Sequence, residues 1–505
     1  MEVHRVRTHP AAARLPREAQ LAWKLATFAA AAPLVGTDPD VAEMVACRLV
    51  DNVAVALAAL DRAPVAAARA MALAHPRAGG STLIGLPATA TVHAEWGAWA
   101  NGTAVRELDF HDTFLAADYA HPADSIPPLV AVAQQKGVDG ERLLAAIAAA
   151  YEVHVSLVKG MCLHAQKKDH VAHLAPAIAA GLGALLGLEA PVVYHAINQA
   201  VHLGFSTRQS RKGEITSWKA SAPAWAGKLA IEAVDRAMRG EGAPNPIYEG
   251  EDGVIAWMLA GPDAEYAVPL PRPGERPRGI LETYPKAHAA EYQAQALIDL
   301  AFDLRRRVDP PVLARVREVV VHASHHTHTV IGSGSNDPEK YDPDASRETL
   351  DHSVMYILAV ALEDGRWHHV TSYTPERAHR PSTVALWRKI RTEEDPAWTA
   401  RYHDPDPARK AFGGRVDVEL DDSTVATEER LVADAHPNGR RPWRWPDYLE
   451  KLEQLAGGRL PRDARERFVD LAARLGRLSA EEVRQLNPAL PPGAIAAERH
   501  RPGIF

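Results

Sequence analysis

The sequence predicts a mainly α protein: an all-helical domain, made of N- and C-terminal parts, with an inserted α/β region. Three observations predict it. From about residue 18 to 260 the text is almost entirely helical in its apolar periodicity. Near residue 262 the composition changes, and VPLPRPGERPRG (268–279) reads as a Pro/Gly-rich connection. After Pro437 helical text returns as WPDYLEKLEQLA, RDARERFVDLAARLG and SAEEVRQL. At 505 residues the chain exceeds what one compact core organises. The expected division is 1–275 for the first helical part, 276–435 for the α/β insertion and 436–505 for the returning helices.

The elements follow in order. Asp38-Pro39 reads as an N-cap followed by Pro at the first helical position, opening a helix whose apolar stripe is Val41, Val45, Leu49, Val53 and Leu57. A second start at Asp139 opens ERLLAAIAAAYEVHVSL, with Leu143, Leu144, Ile147, Tyr151 and Val155 on one face. Residues 174–203 are rich in Ala, Leu and Gly all round, which predicts a helical pair buried on most faces. Beyond the connection come a helix at about 290–305, strand-like VREVVVHASHHTHTV, a helix near 346–363, and RVDVELDDSTVATEERLV (415–432), which alternates like a hairpin.

Composition closes several classes. A net charge of -7 gives no overall attraction to nucleic acid or to an anionic membrane, so neither is an expected partner. No apolar run in the sequence reads as long enough to span a bilayer. Cys47 and Cys162 are the only cysteines, which excludes a disulfide scaffold and an iron–sulfur cluster held by three or four thiolates of this chain. The start, MEVHRVRTHPAAARLPREAQ, lacks an apolar leader core, and Glu2 and Glu18 count against a transit peptide, so the cytoplasm is the expected compartment.

Chemistry concentrates in NGTAVRELDFHDTFLAADYAHPADSIPP (101–128), between Ala-rich helices. Buried polar groups cost free energy unless paired, so grouped acids and imidazoles there point to proton transfer. Asp109 and Thr113 are four apart and would share a helix face, and His121, before Pro122, is extended at the following stop. His111, Asp112 and Asp118 read as supports. In KKDHVAHLAP, His170 and His173 stand at the entry to an apolar helix, with Asp169 readable as its N-cap. STRQSRKGEITSWKASA (206–222) holds Arg208, Arg211, Lys212 and Lys219, a cluster able to clamp carboxylates. Lys219 has small apolar neighbours and needs a partner. Lys286 and His288 open the insertion. His322, His325, His326 and His328 read as strand residues, with His326 and His328 on one face. No carboxylate lies at the usual ligand offsets, so no metal site is expected there. GSGSND matches no nucleotide-binding pattern, although its free amides suit a carboxylate. Tyr356 lies on an apolar helix face, core by default, with a hydroxyl that needs a partner.

Taken together, NG-x(6)-DF-x-DT followed by HP, YEV after an LLAAI helix, DHVAHLAP, SWKA and SHHTHTVIGSGSNDP resemble the MmgE/PrpD family, over about residues 20–480. The resemblance implies a homodimer with the insertion as a lid over the helical domain, a site between the two, and no metal or other cofactor. It implies the activity of a lyase of the methylcitrate cycle, in propionate catabolism, that takes water from a small tricarboxylate, 2-methylcitrate, to give 2-methyl-cis-aconitate. Carried over by motif, the site falls on Asp109, Thr113, His121, His170, Lys286 and Tyr356. A family lysine maps to Lys219, with Lys212 as the fallback, because Thr216 holds the place it occupies in several relatives. The pattern PAEFH reads AAEYQ here, with Gln293 in place of the histidine.

Such an elimination needs a base, an acid for the departing hydroxyl, and cations on the carboxylates. The expected roles are catalytic for Asp109, His121, His170, Lys219 and Lys286, and substrate-binding for Thr113, Arg211 and Tyr356. Decarboxylation of cis-aconitate or epimerisation of a related acid would use the same groups. A catalytically silent binding protein and a His-cluster metal hydrolase are readings from other classes.

Overall fold

A computed structural model describes residues 1–33, 38–496 and 503–504. The protein is mainly α. Among the described residues its first half is built on nine α-helices of ten residues or more: α1 (Leu21–Ala30), α2 (Pro39–Ala59), α3 (Ala63–Leu73), α4 (Ala94–Arg106), α5 (Ile126–Lys136), α6 (Gly140–Gly160), α7 (Leu174–Leu186), α8 (Ala190–Gly204) and α9 (Trp218–Met238). Asp38 caps α2 by accepting from the Val41 amide, and Asp139 caps α6 by accepting from Arg142. Both predicted stripes are buried. Glycine lets α6 and α7 approach closely: a Cβ on Gly181 would lie 2.8 Å from Ala150 Cβ. By length and composition α6 could cross a bilayer, which the reading of the sequence did not anticipate. Here 89% of its apolar window is buried inside the helical core.

Two apolar cores are the largest among the described residues. One draws on residues from Val6 to Ala289 and again from Tyr448 to Leu490; the other runs from Ala290 to Leu420. The first is shared because helix Trp445–Ala456 returns to pack along α2, where Arg48 donates to the Tyr448 hydroxyl at 2.8 Å. The second surrounds a four-stranded sheet in the order Val425–Arg430, Gly414–Leu420, Val316–Ala323, Ile390–Glu394. The first three strands are antiparallel neighbours and the last pairs in parallel with Val316–Ala323. The hairpin expected at 415–432 is the first pair of this sheet.

Four local expectations are corrected. The strand stops at Ala323, and Ser324, accepting from the Thr327 amide, caps a short helix His325–Val330, so three of the four histidines are helical. The helix expected near 346–363 is two pieces, Arg347–Leu350 and Val354–Asp364, broken at Asp351–Ser353. The 268–279 connection begins inside a strand, Glu265–Leu270, paired antiparallel with Glu2–Arg7. Finally, α4 ends at Arg106, so Asp109 and Thr113 share no helix.

Candidate active site

Four breaks in regular structure converge on one buried point. The chain leaves α4 through Asp109, whose φ of 48° is left-handed, a conformation that Asp tolerates better than most residues. Thr113 and Tyr284 exchange backbone hydrogen bonds of 2.9 and 2.8 Å, which places Lys286, two residues on, beside Asp109. Lys219 lies in the first turn of α9, where the helix dipole disfavours a cation and only carboxylate partners make it tolerable. Asp351 sits in the break before Val354–Asp364.

Asp109 is 1% exposed. Its Oδ1 accepts from Lys286 Nζ at 2.7 Å, with Arg106 Nη1 at 3.5 Å and His121 Nε2 at 3.9 Å; its Oδ2 lies 3.2 Å from Lys219 Nζ. Lys219 also donates to both oxygens of Asp351, at 2.6 and 2.9 Å, and Arg347 holds Asp351 from the other side at 3.0 Å. Burial alone would raise both carboxyls, but Lys219 and the other cations outweigh it and hold both below their ordinary range. Four basic side chains thus meet two carboxylates. Glu291 lies nearby, and burial pushes its carboxyl up to about 7, so it carries only part of a negative charge near neutrality.

His121 is presented by a short hairpin, Phe114–Leu115 against Tyr119–Ala120. Its Nδ1 lies 2.8 Å from the Asp112 carbonyl and 3.2 Å from Thr113 Oγ1. A carbonyl only accepts, so Nδ1 carries the proton and Nε2, facing Asp109, keeps its lone pair. Burial, then Arg106 and Lys286, hold His121 well below the ordinary imidazole range, so it is neutral at physiological pH. His170 packs edge-on to His121 with ring centroids 5.8 Å apart, and its Nδ1 lies 3.2 Å from Asp169.

Supports surround this pair. His111 stacks on His121 and meets Asp124 at 2.9 Å. Asp112 accepts from Tyr151 at 2.9 Å and from the Ala123 amide at 3.0 Å, with Arg48 at 3.4 Å. Asp118 accepts from the amides of Tyr119, Leu163 and His164.

Asp109, Thr113, His121, His170, Lys219 and Lys286 are therefore brought together. The fallback Lys212 is exposed, outside the cluster. Two expectations are corrected. Arg211 spends its guanidinium on Asp169, with Nε at 3.2 Å from Oδ2, and so steadies His170's neighbour instead of offering a free fork. Tyr356 donates to the Ser372 carbonyl at 2.6 Å and packs on Trp387 and Tyr373, inside the second core. His288 turns away to Asp299 at 2.8 Å. Reading the sequence missed Arg106, Arg347, Asp351 and His352. Signals existed: Arg106 stands three residues before Asp109, and Asp351-His352 directly precede the segment of Tyr356. His352 contacts both Asp351 and Lys219 Nζ, and burial pushes it down to about 3.

Among the described residues two groups could offer three metal ligands each, Asp109–His111–His121 and Asp109–Asp351–His352. Both need Asp109, whose oxygens already face two lysines. A divalent ion about 4 Å from each ammonium would meet a repulsion of about 8 kcal/mol per lysine at an effective dielectric near 20. The donor set fits ammonium partners better than a resident metal.

A cleft of about 760 Å³ opens between residues 164–168 and 207–212 on one side and 325–340 on the other, and Arg211 on its wall reaches the Lys219 carbonyl at 3.5 Å. Its wall carries Lys167, Lys168, Arg208, Arg211, Lys212 and Lys340 against one carboxylate, Asp337.

The fold and site define a mainly helical protein in which buried Asp109, Asp351 and His121 lie among four basic side chains. The MmgE/PrpD N-terminal domain matches residues 23–267 and the MmgE/PrpD C-terminal domain matches 288–477. The chain belongs to the MmgE/PrpD family. Among its relatives, the mitochondrial 2-methylcitrate dehydratase of Yarrowia lipolytica is 27% identical over 393 residues, 74% of this chain and 72% of that one. The 2-methylcitrate dehydratase of Salmonella typhimurium is 26% identical over 408 residues, 76% and 80% of the two chains. That of Cupriavidus necator is 26% identical over 403 residues, 76% and 79%. These names support a hydro-lyase.

Proposed function

We propose that the protein is a 2-methylcitrate dehydratase that eliminates water by side-chain acid–base catalysis, without an iron–sulfur cluster. The observation that carries this reading is a neutral His121 beside a site where four cations meet two carboxylates. A polyanionic substrate supplies the missing negative charge, and its carboxylates compete with Asp109 and Asp351 for Lys219, Lys286 and the arginines. His121 Nε2 takes the proton from the carbon next to a carboxylate. The electron pair forms the alkene, the C–O bond breaks, and Lys286, made more acidic by burial, protonates the departing hydroxide to water. The proton on His121 returns to Lys286 through solvent. Asp109, held as a carboxylate by its cations, orients the lysines, and Thr113 and His170 position His121.

The sheet-bearing region 276–435 is read with this as a lid over the helical part, and the molecule as a cytoplasmic homodimer. The family resemblance and the two-cysteine composition support that reading. The test incubates chelator-treated protein with 2-methylcitrate, citrate and cis-aconitate, following alkene absorbance and CO₂ release. Alkene formation from 2-methylcitrate without CO₂ is expected. CO₂ release from cis-aconitate instead would assign a decarboxylase.

A further inference from the structure

We propose that the basic cleft seats the substrate's remote carboxylate, with Lys340 and Arg208 as its counter-ions; this rests on the tricarboxylate reading above. Lys340 lies in a short turn, Pro338–Tyr341, on the cleft wall and is only 2% exposed. Its Nζ donates to one acceptor, the His352 carbonyl at 2.8 Å, and among the described residues no carboxylate lies within 4 Å of it. A buried ammonium has three donors, and one carbonyl leaves two of them to a ligand. Its burial, and Arg208 nearby, push it down to about 8, so an anion in the cleft would stabilise its charged form. Ser335, also on the wall, has a buried Oγ with no hydrogen-bond partner among the described residues.

Arg208 uses Nε on the Tyr119 hydroxyl at 3.3 Å and makes no ion pair among the described residues. Both residues also touch the cluster's periphery. Lys340 holds the carbonyl of His352, whose neighbour Asp351 clamps Lys219. Tyr119, bonded to Arg208, packs against His170 with centroids 4.8 Å apart. These contacts tie the cleft wall to the Lys219 clamp on one side and to His170 on the other. A reacting end at His121 and a carboxylate at Lys340 would distinguish tricarboxylates from shorter acids.

The experiment measures calorimetric affinity of the full chain for tricarballylate, an unreactive tricarboxylate, and for succinate, with inorganic phosphate as a control. Wild type, K340M, K340R and R208M are compared, each with its thermal midpoint recorded. Losing a charge-assisted hydrogen bond predicts roughly tenfold or more weaker tricarballylate binding in K340M and R208M, with succinate within about twofold. K340R should restore most of the loss. Unchanged tricarballylate affinity in both Met variants overturns the assignment, as does an equal loss for both acids or tighter binding of phosphate than of tricarballylate. If wild type neither binds tricarballylate nor turns over 2-methylcitrate, the proposed function itself fails. If it turns over 2-methylcitrate while the variants bind like wild type, only the cleft assignment fails.

Discussion

Replacing Lys219 with Met removes one ammonium from between two buried carboxylates, 3.2 Å from Asp109 and 2.6 Å from Asp351. At an effective dielectric near 20, unit charges at these separations attract by about 5–6 kcal/mol each. The desolvation of a buried ammonium opposes that sum by several kcal/mol. Neither carboxylate is left bare: Asp109 keeps Lys286 at 2.7 Å and Asp351 keeps Arg347 at 3.0 Å. The expected destabilisation is therefore about 3–5 kcal/mol, the usual cost of breaking a buried pair on one side. Adding D351N takes away a matching negative charge, so the double variant should recover about 2–3 kcal/mol of the sum of the single losses. Denaturant unfolding followed by tryptophan fluorescence, on the two single variants and the double, measures the coupling. A coupling below about 0.5 kcal/mol would refute the idea that Lys219 is the clamp joining Asp109 to Asp351.

His121→Ala should lower turnover of 2-methylcitrate by about 10²–10⁴-fold, as loss of a general base does; steady-state rates within a few-fold of wild type would remove His121 from the mechanism. Tyr356→Phe removes the donor to the Ser372 carbonyl, so it should cost about 1 kcal/mol in denaturant unfolding and leave kcat/KM within about twofold. Lys340 has its pKa lowered to about 8, and only its protonated form attracts an anion, so calorimetric affinity for tricarballylate should fall as pH rises through about 8, a fall absent in K340M. Dialysis against a strong chelator under anaerobic conditions should leave the dehydration rate unchanged; recovery that requires added iron would overturn the cofactor-free reading.

Much of the helical architecture was legible because it rests on local rules. Asp38 and Asp139 announced helix starts through caps, and the stripes of α2 and α6 showed their buried faces through spacing alone. The alternation at 415–432 gave its hairpin for the same reason. What misled were segments whose ends depend on a single cap. Ser324 turns a β-like histidine run into helix, and Ser353 starts a new helix inside a segment expected to be one.

At the site, the sequence by itself determined the chemical inventory. It put Asp109, Thr113 and His121 close together in one stretch, and it showed that Lys219 needed a partner, because apolar surroundings make an isolated charge costly. The tertiary structure alone decided who partners whom. Lys286 meets Asp109 across 177 positions and Lys219 meets Asp351 across 132, through a backbone bridge at Thr113–Tyr284 and a helix break that no local pattern encodes. It also gave the Tyr356 hydroxyl the Ser372 carbonyl and set Arg211 on Asp169, since one hydrogen bond to a nearby carbonyl or carboxylate decides where a polar group points. Charge and burial can be read along a chain, but the distance between charges, which sets their interaction, exists only once the chain has folded.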